Sequence, residues 1–213
     1  MCPSDVLDVL DILTDSVATT EGEYEGAPVR TISRDQIYAL AARTDPCDVQ
    51  SLRRLFVLVQ AWGSGLTGRR TPRFTGVALS SGDRLIKCLS VTATQLRRAQ
   101  SPAALVEPYR AWSVPGVGPA FFTKWFTFAG TANGRSWQPL ILDSLVLLTI
   151  NSRDGGLGLK LSEMTPSRGP SYRYQAYVEA VHEWARDLSV DAQHVEWVLF
   201  ETGRQIRAAR RHR

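Results

Sequence analysis

The chain is poor in cysteine, histidine and lysine and has no long apolar run, and each shortage closes off a class of protein. Cys2, Cys47 and Cys88 are three scattered cysteines, odd in number and without metal-ligand spacing. A disulfide framework and a four-cysteine cluster are therefore not expected. His182, His194 and His212 stand alone with no ligand-bearing partners nearby, so neither a metal nor any other cofactor is expected. No apolar stretch reaches the roughly 18–20 residues that cross a bilayer. The opening MCPSDVLDVLDIL carries aspartates where a secretion signal needs positive charge, so the expected location is the cytoplasm, without a membrane partner.

What is present fits a folded, helical chain. Its 213 residues are 44% hydrophobic and 22% charged, too apolar for general disorder, and long enough for one unit or two tightly joined lobes. The positive charge is carried by 22 arginines and only Lys87, Lys124 and Lys160. Guanidinium groups pair bidentately with phosphate, so an isoelectric point near 9.2 fits a polyanionic partner, although high-GC coding produces the same arginine bias.

Apolar spacing predicts a run of helices. Residues 4–18 repeat Val6, Leu7, Val9, Leu10, Ile12, Leu13 and Val17 at mixed helical intervals. TTEGEYEGAPV reads as a polar loop. Ser33 caps a helix to about Arg43, and Asp48 caps another that buries Leu52, Leu55, Phe56, Leu58 and Val59. The glycine-rich basic stretch WGSGLTGRRTPR follows as a loop. Helices are expected over about 74–90 and 92–99, and Ser101-Pro102 opens a further one. ILDSLVLLTI reads equally as a strand or as a buried helix start. After the Gly/Pro-rich DGGLGLKLSEMTPSRGP come closing helices near 171–187 and 191–210. No alternation of period two recurs at strand spacing, so the fold class expected is all-α.

The chemistry concentrates in WSVPGVGPAFFTKWFTFAG, residues 112–130. Pro115, Gly116, Val117 and Gly118 form a tight turn, Pro119 suits the first turn of a helix, and Gly130 ends it. Backbone amides of such a turn and the positive end of the following helix dipole can hold a phosphate. The same residues also suit an ordinary helix–helix corner. Twenty-five positions beyond Gly118, Asp143 is the one charge between Arg135 and Arg153. An aspartate among apolar neighbours either caps a helix or is kept ionised for chemistry.

VPGVG followed by PLILD resembles the helix-hairpin-helix DNA glycosylases, and VPGVGPAFFTKWFTFAG with LILDS is most similar to their bacterial 8-oxoguanine glycosylase-like subgroup. The close likeness covers about 30 residues. It implies a two-lobed helical unit over residues 1–213, with lobes near 30–100 and 101–150 and with 1–29 and 151–213 completing the fold. It also implies a monomeric, nucleoid-associated enzyme that flips a modified nucleotide from double-stranded DNA into a cleft between the lobes. Pro115, Gly116, Val117, Gly118 and Ala120 would bind the DNA phosphate, and Asp143 would stabilise the cation formed on the deoxyribose.

Lyase-active relatives carry a nucleophilic lysine two positions after the second hairpin glycine. Here that position is Ala120, and Lys124 lies one helical turn further on. A lysine among Phe121, Phe122, Trp125, Phe126 and Phe128 would lose proton affinity by desolvation and serve as an amine nucleophile, or else snorkel to solvent. Gln60 and Trp62 are candidate wedges for the gap left by the flipped base, with Arg69, Arg70 and Arg73 as backbone contacts. Trp125 and Trp137 are candidate base-stacking residues, although aromatics at helical spacing more often build core. The substrate is either oxidised guanine, in repair, or a bulky modified base of phage DNA, in defence. The alternative is a non-catalytic helix-hairpin-helix module that binds DNA without acting on it.

Overall fold

The computed structural model describes residues 20–24, 27–65, 71–165 and 169–211. The expected helix over 4–18 lies outside them. Residues expected as a polar loop instead form two strands, β1 (Thr20–Tyr24) and β2 (Ala27–Thr31), paired antiparallel from Thr20↔Thr31 to Tyr24↔Ala27. Glycine and proline had argued for a loop. In a two-stranded ribbon, however, each strand has a free edge, so a residue such as Pro28 that cannot donate is tolerated. The remaining described elements are helical, and the all-α class holds for the core.

Caps place the first helices where the sequence put them. Helix α1 (Arg34–Arg43) starts with a capping box, Gln36 N–H donating to Ser33 Oγ at 3.1 Å and Ser33 N–H to Gln36 Oε1 at 2.7 Å. Helix α2 (Val49–Gly63) is capped by Asp48 and buries Leu52, Leu55, Phe56, Leu58 and Val59. The next pair is α3 (Thr71–Leu79) and α4 (Asp83–Arg98), not 74–90 and 92–99. Gly82 supplies the break with φ +52°, while Leu85, Leu89, Thr92 and Leu96 keep one helical stripe running through position 91.

A 3-10 turn, Pro102–Leu105, leads into α5 (Val106–Ala111). Helix α6 (Pro119–Ala129) then runs through the middle of the molecule, with Phe122, Trp125, Phe126 and Phe128 buried. ILDSLVLLTI resolves into an irregular stretch and then α7 (Ser144–Asn151). The closing helices are α8 (Pro170–Asp187) and α9 (Ala192–Arg211). Buried side chains from Ile37 to Leu199 join one apolar cluster, and no helix among the described residues is long and apolar enough to cross a membrane.

Candidate active site

The hairpin is built from its own backbone and from the helices around it. Val117 N–H donates to Val114 O at 3.4 Å, and Trp112 Nε1 donates to Val117 O at 3.1 Å. Val114 and Val117 are both buried. Gly116 has φ +78°, and a Cβ there would stand 3.3 Å from the Phe74 carbonyl oxygen, so geometry and space both call for glycine. Gly118 is the N-cap of α6, its carbonyl accepting from Phe121 N–H at 2.9 Å and Phe122 N–H at 3.0 Å. No side chain caps this end, and a Cβ on Gly118 would meet nothing within 4 Å. The start of α6 therefore faces open space, as an anion-holding helix end must.

Lys124 and Asp143, 19 residues apart in sequence, meet in the fold. Lys124 Nζ lies 3.7 Å from Asp143 Oδ2, with the two side chains 8% and 12% exposed. The other oxygen of Asp143 caps α7, accepting from Leu145 N–H at 2.9 Å and Val146 N–H at 3.1 Å. Asp143 is therefore the cap of α7 through Oδ1, while its Oδ2 faces an amine. Helical side chains lean towards the N-terminus, and Lys124 accordingly reaches back one turn to donate to the Ala120 carbonyl at 2.8 Å. The amine is delivered to the level of position 120 although the lysine is not there. Its aliphatic stem runs against α2, where a Cβ on Gly63 would come within 2.7 Å of Lys124 Cδ. Burial holds the Lys124 amine below the ordinary lysine range, opposed by the negative charges of Asp143 and then Glu196.

The segment before Asp143 is strapped by side chains from three helices. His182 on α8 hydrogen-bonds the Gln138 backbone, Tyr174 donates to Leu140 O at 2.8 Å and Tyr177 donates to Ile141 O at 2.7 Å. Glu196 on α9 accepts from Ile141 N–H at 2.5 Å, and Thr123 on α6 accepts from Leu142 N–H at 3.2 Å. Buried backbone without a ladder partner needs such bonds. Helix α9 also crosses α7 closely, since a Cβ on Gly203 would fall 2.2 Å from the Leu145 carbonyl oxygen. Sequence reasoning missed Glu196. Its signal was a carboxylate on the stripe formed with Leu199, Gly203 and Ile206.

The remaining candidates do not gather at this pair. Trp125 is fully enclosed, its Nε1 donating to Thr92 Oγ1 at 3.0 Å, so it builds core and stacks on no base. Trp137 is 6% exposed, donates to Gln100 O at 3.1 Å and lies under Arg135, whose guanidinium carbon is 4.1 Å from the ring centre. Gln60 is buried and does not project as a wedge, while Trp62 is half-buried and packs edge-on against Phe128 at 5.2 Å. Arg73 is exposed, and Arg69 and Arg70 lie outside the described residues. Among the described residues no cluster of three or more metal-ligating side chains occurs.

The described chain is thus helical apart from one two-stranded ribbon, with a glycine hairpin leading into α6 and a capping aspartate at the head of α7. The family model described as "Putative 8-oxoguanine DNA glycosylase OGG-like protein" matches residues 9–200, and the chain belongs to that family. Comparison with curated proteins and with solved structures found no match.

Proposed function

We propose that this chain excises a modified base from double-stranded DNA, with Asp143 and Lys124 as its catalytic pair. The observation that carries the reading is the buried 3.7 Å approach of Lys124 Nζ to Asp143 Oδ2 just behind an open hairpin helix end. In this reading the amides around Gly116 and Gly118 hold a backbone phosphate. The segments 30–100 and 101–150 act as lobes about the extruded nucleotide, with 1–29 and 151–213 completing the enclosure. The protein works as a monomer at the nucleoid.

The neutral Lys124 amine attacks the deoxyribose C1′. The C1′–N bond breaks, its electron pair leaves with the base, and the base takes up a proton. Positive charge that builds on the sugar faces Asp143 Oδ2, which also receives the proton lost by the new C1′–Nζ adduct. Breaking of the C1′–O4′ bond, with O4′ taking up a proton from Asp143, then gives a Schiff base. Loss of a C2′ proton from that imine with departure of the 3′-phosphate cuts the strand by β-elimination, and water then hydrolyses the imine and frees the amine.

Oxidised guanine is the substrate class that the family description supports. The test is mass spectrometry of bases freed from oxidised genomic DNA and from phage DNA with substituted cytosines. It is paired with borohydride trapping on the same DNAs. Release of an oxidised purine, with a trapped adduct that disappears in Lys124→Ala, is the expected result. Release of the substituted cytosine would move the reading to antiviral defence. Release without any adduct would leave Asp143 activating water. Binding without release or adduct would overturn the enzyme reading in favour of a DNA-binding module.

A further inference from the structure

Four charges, not two, lie behind the hairpin. Glu196 is 3% exposed. Its Oε2 accepts from Ile141 N–H at 2.5 Å and its Oε1 from Arg34 Nη2 at 2.6 Å. Arg34 comes from the other end of the chain and stands between the rings of Tyr38 and Trp62, 5.9 and 6.0 Å from their centres. Ile141 is two residues before Asp143, and its carbonyl is held by Tyr177. The two peptide planes that flank Ile141 are therefore both held, one through its N–H by Glu196 on α9 and the next through its carbonyl by Tyr177 on α8, immediately before the turn that aims Asp143.

We propose that Glu196, held by Arg34, is a positioning residue for the catalytic pair: through Ile141 it fixes where the Asp143 carboxylate stands, and its charge acts on the Lys124 amine. This rests on the reading of Lys124 and Asp143 given above. A buried carboxylate whose sole duty were to bond one amide would be a costly choice, because a neutral side chain does the same without desolvating a charge. Burial pushes the Glu196 carboxyl above the usual carboxylate range, while Arg34 and the Ile141 amide pull it back. Arg34 is thus the charged group that opposes the effect of burial on Glu196. The charge reaches Lys124, whose proton affinity rises with both Asp143 and Glu196.

The charged groups that face the amine are Asp143 from the head of α7 and Glu196 from α9, and those that face Glu196 in turn are Arg34 and Tyr38 from α1 and Tyr174 and Tyr177 from α8. Burial raises all three phenols, so they stay neutral around pH 7. Helix α2 contributes the backbone of Gly63.

Because the chain has only three lysines, lysine labelled at Cε gives three assignable resonances, and the Lys124 amine can be titrated by NMR in the intact protein without any substrate. Glu196→Gln keeps an acceptor oxygen for Ile141 and removes the charge. The Lys124 midpoint should move further down, while those of Lys87 and Lys160 stay in place. Should Glu196→Gln fail to fold for want of a partner for Arg34, the double variant Arg34→Met/Glu196→Gln removes both charges and should shift Lys124 in the same direction by less, since loss of the Arg34 positive charge works the other way.

Borohydride trapping on a duplex with one abasic site gives the chemical readout. In Glu196→Gln its rising alkaline limb should move to lower pH with the NMR midpoint while the plateau rate is kept, and in Glu196→Ala, which also removes the acceptor for Ile141, the plateau rate should fall about tenfold to a hundredfold from misplacement of Asp143. An unmoved or raised Lys124 midpoint overturns the proposal. The underlying reading fails separately, by a trapped adduct that persists in Lys124→Ala or by base release that survives in Asp143→Asn.

Discussion

The hairpin at 114–118 and the strap at 138–143 are both short irregular segments flanking α6, yet they are held in opposite ways. The hairpin rests on apolar packing of Val114 and Val117 and on one indole bond from Trp112, and its Gly118 end is left uncapped by any side chain. In the strap, His182, Tyr174, Tyr177, Glu196 and Thr123 take up the backbone groups of Gln138 to Leu142. The hairpin thus leaves the head of α6 without a side-chain partner, while the strap is fastened by five side chains from three helices.

The sharpest way to break this contrast is Asp143→Asn. Asparagine still caps α7, so the fold should persist while base release falls by about 10³-fold, roughly 4 kcal/mol; single-turnover release beside a thermal melt checks both halves. Tyr177→Phe removes one strap and leaves the Ile141 carbonyl buried and unpaired. Denaturant unfolding should show a loss of about 1–3 kcal/mol. The hairpin should respond differently at its two glycines. Gly116→Ala should destabilise by about 1–2 kcal/mol, being strained at positive φ and crowded by Phe74. Gly118→Ala should leave stability nearly unchanged but weaken binding to duplex DNA by about 1 kcal/mol, as its new methyl group fills the space a phosphate would use.

The smallest effect expected is the pH response of the strap at His182. Burial lowers the affinity of its ring for a proton, a shift partly offset by the Gln138 backbone. A depressed imidazole contributes stability that is whole above its unfolded value, about 6.5, and is lost as the pH falls through the folded one. Melting temperature should therefore drop more steeply between about pH 6.5 and 5 in the parent chain than in His182→Gln.

Local signals were readable because they join residues two or three apart. Ser33 and Gln36, Asp48 and Gln50, and Asp143 with Leu145 and Val146 all act within a single helical turn. Boundaries failed where two local rules competed. At Gly82 a positive φ interrupts a stretch whose apolar period runs on, and at 20–31 pairing between strands overrode glycine and proline. The aromatic candidates failed for another reason. Trp125 and Trp137 have the right type for stacking, but side-chain type does not tell which face a neighbouring helix will cover.

By itself the sequence determined a helical chain carrying a glycine hairpin and an isolated aspartate, because caps, turns and periodicity are settled within a few residues. Only the tertiary structure decided that Lys124 would reach Asp143, that Glu196 would hold Ile141 from 55 residues away, and that Arg34 would meet Glu196 across 162. Those pairings depend on how whole helices stack, and stacking is set by the shape of the shared apolar core rather than by any local spacing.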